Sequence, residues 1–460
     1  MKSNITYSLS LQKQISKQSV AFDSEINQAF NELNFRSLTR QSNIIKKRGF
    51  DTVSLLFLYI LLPFLKRKVS EYWNSQYLQN HVDARKDTFY RFLNHERFNW
   101  RKLVYAVALR IIARSKEVAL KDKVLIADDT VSAKTGKKIE LISYHHDHKA
   151  KSSILGTQFL QLGFHDGSNF FPIDGAFHTS NHRSNDKIRH IDKRTNGWKR
   201  RKEALSKKTD VLVQMADRAY KAGIDAAFML FDSWFAHDDT ISRIYKAGYG
   251  VICRLKRNRV KYTYQGKQYT LKQLWQKVAK KKAKWIGGQN LTGACLNVTL
   301  PKTGLVRILF VSDGRKNRQV LLCTDIDLNS SEILQYYARR WSIEVYFKDA
   351  KQLLYMGKDQ SNCFDALIAA NSLVMIRYLL IVYILSKRRI DGPIGPLFRQ
   401  ESDRQCFLVF AKAIWANVKE LILRSSDILS YQIDLDLLFH IIDIIENSII
   451  DQIPIVNAKL

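Results

Sequence analysis

The sequence is poor in cysteine, and this shortage narrows the possible classes of protein. It has five cysteines, an odd number, with no two close together and no C-x-x-C pair. That pattern suits neither a disulfide framework nor a cysteine-based zinc site, and it predicts a reducing, cytosolic compartment. The N-terminal stretch MKSNITYSLSLQKQISKQ also lacks the apolar core of a signal peptide.

A clear membrane-spanning segment is missing as well. The run 53–65 is too short to cross a bilayer and contains Pro63. The run 367–386 is long enough, but Asn371 and Arg377 interrupt it. Polar residues at such positions are costly in lipid, so we predict that both runs form buried core helices.

Acidic residues are too few to balance the basic ones. There are 74 Lys and Arg against 43 Asp and Glu, which gives a net charge of +31. Such an excess indicates a polyanionic partner, and nucleic acid comes first because neutralised phosphates release counterions. An anionic membrane surface is disfavoured, since no single basic amphipathic helix stands out. Segment 178–208 alone holds eleven Lys and Arg against three acids and suits an exposed, phosphate-tracking segment.

The pattern along the chain predicts several regions. With 460 residues, 46% of them hydrophobic, two to four domains are expected. A helical, basic N-terminal region precedes alternating strands and helices, which are followed by a β-rich stretch and further helices. We assign 1–115 to a helical DNA-binding region, 120–258 and 326–386 to an α/β core with a mixed sheet, 259–325 to a β-rich insertion, and 390–460 to a helical C-terminal region.

Segment 330–358 is predicted to be one helix, and it carries an unusual row of polar residues. Asn329 and Glu332 form a capping-box pattern at its start. On a continuous helix Tyr337, Arg340, Glu344 and Lys351 share an arc of about 60°. A row of a phenol, two cations and a carboxylate could bind a metal and phosphate. A solvated salt-bridge face explains the same pattern, and geometry alone leaves that alternative open.

Two predicted strands supply further carboxylates. VLIADDT places Asp128 and Asp129 at the end of one strand, and MLFDSWF places Asp232 at the end of another. Each alone suits a turn or a helix cap. Together with Glu344 they suggest three carboxylates at one edge of a sheet, an arrangement that can hold two divalent metals for phosphoryl transfer.

These residues carry a resemblance to a known family. The spacing Tyr337, Arg340, Glu344, Lys351 fits the Y-(2)-R-(3)-E-(6)-K signature of a group of bacterial insertion-sequence transposases of the DDE type. VLIADDT and MLFDSWF resemble the two aspartate motifs of that group, and RRWSIEVYFKDAKQLL resembles its glutamate motif. The resemblance covers roughly 120–360, including a β-rich insertion between the second Asp and the Glu.

The resemblance implies an RNase H-like catalytic core and metal-dependent cut-and-paste transposition, with end cleavage followed by strand transfer. It implies two Mg²⁺ ions per site, with Mn²⁺ able to substitute. Its partners would be the terminal inverted repeats of an element and target DNA, bound by a homodimer in the cytoplasm or nucleoid of a bacterium, with no membrane involved. The implied metal ligands are Asp128, Asp232 and Glu344, and the implied DNA contacts are Tyr337, Arg340 and Lys351.

The first aspartate stays ambiguous. An Asp-x-Ser/Thr pattern favours Asp128 over Asp129, but adjacent strand residues face opposite sides and either could serve. Two other features are weaker. YHHDH at 144–148 has poor spacing for zinc, and we predict that Trp275 and Trp285 pack in the insertion.

Two alternative functions use the same features. A structure-selective RNase H-like nuclease would need the three carboxylates but neither the Y-R-E-K row nor a large insertion. A catalytically inactive, transposase-derived DNA-binding protein would keep the basic surface alone.

Overall fold

The computed structural model describes residues 24–46, 48–69, 85–115, 117–147, 152–180, 190–256, 258–287, 291–314, 318–428 and 435–450. Parts of the predicted N-terminal region 1–115, of the basic segment 178–208 and of the C-terminal region 390–460 lie outside these residues.

The described part of the N-terminal region is helical. The predicted apolar run at 53–65 falls on a helix that begins after Asp51, whose carboxylate accepts a hydrogen bond from the Ser54 amide. Leu55, Leu56 and Ile60 of this helix are fully buried, so it is a core helix as predicted. The helices described here are α1 Glu25–Glu32, α2 Phe35–Gln41, α3 Thr52–Leu61, α4 Lys86–Leu93 and α5 Trp100–Ile112.

A mixed sheet forms the centre of the protein. Within the described residues its strands follow the order β2-β3-β1-β5-β6-β12-β11-β10-β7-β8, with β4 beside β3 and β9 beside β10. The strands are β1 Val124–Ala133, β2 Ser143–Asp147, β3 Ser152–His165, β4 Phe170–His178, β5 Phe228–Phe231, β6 Gly250–Arg254, β7 Lys261–Tyr264, β8 Lys267–Thr270, β9 Lys284–Ile286, β10 Leu291–Leu300, β11 Gly304–Ser312 and β12 Arg318–Cys323.

Three adjacent strands in the middle of the sheet run parallel. β1 pairs with β5, and β5 pairs with β6, both in parallel register. Helix α8 (Asp238–Lys246) joins β5 to β6, as the strand–helix–strand pattern predicts. Before β5 come α6 (Asn196–Ala204) and α7 (Lys208–Lys221). The carboxyl ends of β1 and β5 therefore open at the same edge of the sheet, where α/β proteins place their ligands.

The β-rich insertion continues the core sheet. Its last strand, β12, lies between β6 of the core and β11, and pairs antiparallel with both. Between β8 and β9 the chain forms helix α9 (Leu271–Leu274), a π-helical turn (Trp275–Ala279) and a short helical end (Lys280–Lys282). The insertion is thus joined to the central sheet at β6 through backbone hydrogen bonds.

The prediction of one helix over 330–358 is wrong. The chain forms α10 (Ser330–Ala338), begun by the predicted capping box of Asn329 and Glu332, and α11 (Trp341–Gln352). The break falls at Arg339 and Arg340, and the Arg339 guanidinium donates to the backbone and side chain of Asp122. Because that bond fixes the turn to the start of β1, Tyr337 lies on a different helix from Glu344 and Lys351.

The second apolar run also forms a core helix. It lies on α12 (Phe364–Arg388), which is long and apolar enough to cross a membrane, but 94% of its most apolar stretch is buried inside the protein. The buried Arg377 donates to three backbone carbonyls, those of Tyr59, Ile60 and Leu354, so it joins the N-terminal helices to the end of α11. After α12 follow α13 (Gly395–Ile428) and α14 (Leu435–Ile450).

Candidate active site

Asp128 and Asp232 lie side by side at the edge where β5 ends. Ala127 of β1 is paired with Phe231, the last residue of β5, and each of these two residues is followed by an aspartate. The prediction that β1 ends at its carboxylates is wrong, because β1 continues to Ala133 through its antiparallel pairing with β3. Since β5 is only four residues long, the second half of β1 has no described strand partner on that side.

Glu344 reaches the same place through an arginine. The Arg340 guanidinium donates from Nη1 to Asp128 Oδ2 at 3.2 Å and from Nη2 to Glu344 Oε1 at 2.5 Å. The cation therefore lies between two of the three predicted ligands. The i, i+4 partner of Glu344 is Arg340, and Lys348, which could have taken that place, lies on the exposed side of α11.

The environment of Asp128 is electrostatically unusual. Burial raises the pKa of Asp128 to about 7, and the neighbouring charges of Asp129 and Asp232 act in the same direction, against Arg340. Its Oδ1 also accepts a hydrogen bond from the Asp129 amide at 2.9 Å. Strongly perturbed carboxylates that face a cleft are typical of functional sites.

Asp129 has a different partner. Its Oδ2 accepts a hydrogen bond from Lys208 Nζ at 2.6 Å, and Lys208 is the first residue of α7. Strand alternation explains why two adjacent carboxylates have separate partners. The Lys208 side chain is almost fully buried, so the Asp129 charge is compensated inside the protein.

Helix α11 is anchored firmly across β1. Ile343, Tyr346 and Ala350 of this helix are fully buried. Lys351 Nζ donates to the backbone carbonyl of Val131 at 3.1 Å. After the helix, the carbonyl of Gly357 accepts from Lys134 Nζ at 2.9 Å. The position of Glu344 relative to Asp128 is therefore fixed by contacts along the whole length of α11.

A cleft of about 680 Å³ opens beside these carboxylates. Asp128, Asp129, Asp232 and Lys351 line it, together with residues to which the sequence assigned no role. Those residues are Tyr144, His145, His146, Gln158, His178, Lys208 and Trp234.

Trp234 is the most informative of the missed residues. It follows Asp232 by two positions and is 43% exposed. The Lys208 ammonium lies 3.8 Å from the centroid of its ring, a cation–π contact that holds the indole in place. The motif MLFDSWF contained this signal, since a tryptophan two residues after a strand-end aspartate must lie near the same edge.

Two histidines of the cleft are held neutral. Burial lowers the pKa of His178 to about 4, and the nearby charge of Lys208 acts in the same direction. Burial also lowers the pKa of His145, whose Nε2 lies 3.0 Å from Ser143 Oγ. His178 Nδ1 is buried and has no hydrogen-bond partner among the described residues. Neutral imidazoles here are suited to hydrogen bonding rather than to charge compensation.

The donor chemistry of the site fits a hard divalent cation. Asp128, Asp232 and Glu344 offer only carboxylate oxygens, which Mg²⁺ and Mn²⁺ prefer. Over the described residues, no three His, Cys, Asp or Glu side chains lie close enough together to form a ready metal site. The Arg340 guanidinium forms ion pairs with both Asp128 and Glu344.

Two models of known protein families match overlapping parts of the chain. A family model described as DDE superfamily endonuclease matches residues 74–278, and one described as Transposase DDE domain matches residues 202–380. Asp128 and Asp232 lie within the first match, and Asp232 and Glu344 lie within the second. A comparison with curated proteins finds no match. The two family matches support a DDE transposase, a nucleic-acid-cleaving enzyme.

Proposed function

We propose that this protein is a transposase of the Y-R-E-K signature group, which cuts an insertion sequence from DNA and joins it to a target. The observation that carries the proposal is the placement of Asp128 and Asp232 directly after the last paired residues of β1 and β5, with Glu344 joined to Asp128 through Arg340. Two carboxylates that line one cleft, with a third joined to them through a shared arginine, are more than a solvated helix face requires.

In this proposal Asp128, Asp232 and Glu344 hold two Mg²⁺ ions, for which Mn²⁺ can substitute. When bound, such ions activate the attacking hydroxyl or water and stabilise the leaving oxygen. The protein's own contribution is to hold the three carboxylates in fixed positions, through the pairing of β1 with β5 and the buried face of α11. Rigid placement of the reacting groups is itself a large part of catalysis in phosphoryl transfer.

Arg340 is proposed to have two successive partners. It compensates Asp128 and Glu344 in the structure, and its Nε is buried without a hydrogen bond. When divalent cations compensate the carboxylates, the guanidinium becomes available to a DNA phosphate, its preferred bidentate ligand. Tyr337, whose ring lies 5.7 Å from the guanidinium carbon, and Lys351 at the cleft wall would contact the same strand.

The proposal is tested with the DNA that flanks the gene. Purified protein, Mg²⁺ and a duplex carrying a flanking terminal inverted repeat are expected to give nicks at the boundary of the repeat, seen on a sequencing gel. A shuffled duplex of the same composition is the control. Joining of the released end to a plasmid would then report strand transfer.

The two alternative functions predict different patterns of DNA cleavage and joining in this experiment. A structure-selective nuclease would cut branched or looped DNA irrespective of sequence and would not join ends. An inactive DNA-binding protein would bind the repeat tightly and leave it intact at any metal concentration. Either result would contradict the proposed function.

A variant at Asp129 tests which aspartate is the first metal ligand. Because Lys208 already compensates Asp129, we expect Asp129→Asn to keep metal-dependent cleavage within about tenfold of wild type, the loss reflecting a displaced Lys208. The matched change Asp128→Asn is expected to abolish cleavage. If Asp129→Asn abolished cleavage and Asp128→Asn retained it, Asp129 would be the first metal ligand instead.

Cutting two ends of an element together requires two copies of the catalytic domain, so we propose a homodimer assembled on DNA, associated with a bacterial nucleoid. The assembly is measured by light scattering with and without a repeat duplex.

A further inference from the structure

The β-rich insertion carries a large and poorly compensated positive charge. Residues 259–325 contain fourteen Lys and Arg and only two acids, Asp313 and Asp325. A large net charge of one sign destabilises a compact fold through self-repulsion, so a surface that keeps it is suited to a polyanion.

Part of this charge surrounds a groove of about 640 Å³ on the insertion. The basic residues at the groove are Arg259, Lys272, Lys280 and Arg318, and none of its described lining residues is acidic. Trp275 forms part of the floor, where it packs 5.8 Å from the ring of Phe310. The Arg318 guanidinium lies 5.1 Å from the centroid of the Trp275 ring. A groove that combines cations with an aromatic floor is typical of surfaces that follow a nucleic-acid backbone.

Strand register places another aromatic residue on the same face of the sheet. Trp285 is opposite Thr292, Thr292 is opposite Ser312, and Ser312 is opposite Arg318. Directly opposite residues of antiparallel strands share a face, so Trp285 and Arg318 lie on one side, about 14 Å apart across three strand spacings. Trp285 is 63% exposed, so the prediction that it packs inside the insertion is wrong. Trp285 lies on the three-residue strand β9, whose described strand partner is β10.

The groove also lies next to an irregular stretch of helix. Trp275 begins the π-helical turn between α9 and Lys280. Such turns re-aim side chains and occur frequently at functional sites. Here the turn brings Trp275 and Lys280 to the same groove, although they are five positions apart.

We infer that this groove is a second DNA-contact surface, which binds the phosphate backbone of duplex DNA away from the catalytic carboxylates. The inference rests on the proposed function, since it concerns the same DNA. It adds that the insertion supplies its own share of binding free energy through Arg259, Lys272 and Lys280, because β12 joins it rigidly to β6 of the core. DNA held there extends beyond the nucleotides that occupy the cleft.

The test is the salt dependence of binding to a duplex of arbitrary sequence of about 40 base pairs, where phosphate contacts supply the affinity. The variant Lys272→Gln/Lys280→Gln removes two exposed cations of the groove. We expect the slope of log K against log salt to become shallower by about 1 to 2, because each lost phosphate contact contributes about 0.9. Circular dichroism and the melting temperature report whether the variant folds normally.

The matched control is Lys221→Gln/Lys246→Gln. It removes two exposed cations at the last residues of α7 and α8, the ends that point away from the catalytic carboxylates. Its slope is expected to equal that of wild type. An unchanged slope in the groove variant, or an equal loss in the control, would overturn the inference while wild-type cleavage leaves the proposed function standing. A wild-type protein that binds the duplex but never cleaves an end would instead contradict the proposed function alone, and one that binds no duplex would overturn both.

Discussion

Glu344→Gln is expected to remove metal-dependent DNA cleavage while leaving DNA binding intact. The substitution keeps the size of the side chain and an oxygen that can accept the hydrogen bond of Arg340, but it removes a negatively charged ligand oxygen. We expect the cleavage rate to fall by about a thousandfold or more, equivalent to about 4 kcal/mol of transition-state stabilisation. The measurement is single-turnover cleavage of a repeat duplex at saturating protein.

A second glutamate on the same segment provides the control. Glu332 lies in the first turn of α10 and accepts a hydrogen bond from the Asn329 amide, a role that glutamine also fills in a capping box. Glu332→Gln is therefore expected to cleave like wild type. Cleavage that survives Glu344→Gln would remove Glu344 from the site, whatever the control shows.

Asp174→Asn is expected to destabilise the whole core. The Asp174 carboxylate of β4 is 1% exposed and accepts hydrogen bonds from Arg101 Nε at 2.8 Å and Arg218 Nε at 2.7 Å. Glu203 of α6 pairs with the same two arginines. Replacing the aspartate leaves two largely buried cations with one carboxylate, which costs about 3–5 kcal/mol. Urea unfolding followed by tryptophan fluorescence measures the difference.

The control for this prediction is Asp217→Asn on α7. Asp217 pairs with Lys221 on the surface, with both side chains about half exposed or more, so its loss is expected to cost at most about 1 kcal/mol. Equal losses in the two variants would contradict the buried-network account.

The effect of Asp174 also depends on pH. The buried arginines lower its pKa to about 2, from an ordinary 3.8. A depressed pKa stabilises the fold above the unfolded value, so the difference between wild type and Asp174→Asn is expected to be full above about pH 4 and to shrink as the pH falls toward 2.

The elements that the sequence predicted best are those whose signal is local. The apolar helices α3 and α12 and the capping box at Asn329 follow from periodicity and capping chemistry over a few residues. The parallel pairing of β5 with β6 followed from the helix between them.

The features that the sequence could not predict depend on residues far apart along the chain. The break between α10 and α11 occurs where Arg339 reaches Asp122, more than two hundred positions away. No local breaker marks it, since neither glycine nor proline is present in YYARRWSIEVYF. The continuation of the core sheet into the insertion likewise depends on the pairing of β12 with β6.

The same limit applies to the site. The sequence alone could identify Asp128, Asp232 and Glu344 because each of these residues lies within a short motif. The pairing of Lys208 with Asp129 joins α7 to β1, and the bridge of Arg340 joins α11 to β1. These long-range contacts give the two adjacent aspartates separate partners, which the sequence alone left open.

The central claim is that Asp128, Asp232 and Glu344 form one metal-dependent site for DNA cleavage. The most direct measurement is anomalous scattering from Mn²⁺ in crystals of the protein bound to a repeat duplex. The account predicts Mn²⁺ peaks in contact with these three carboxylates, with Arg340 turned from Asp128 and Glu344 to a DNA phosphate. The account would be contradicted if the protein in the crystal cleaved the DNA while Mn²⁺ was bound elsewhere and Arg340 still bridged the two carboxylates.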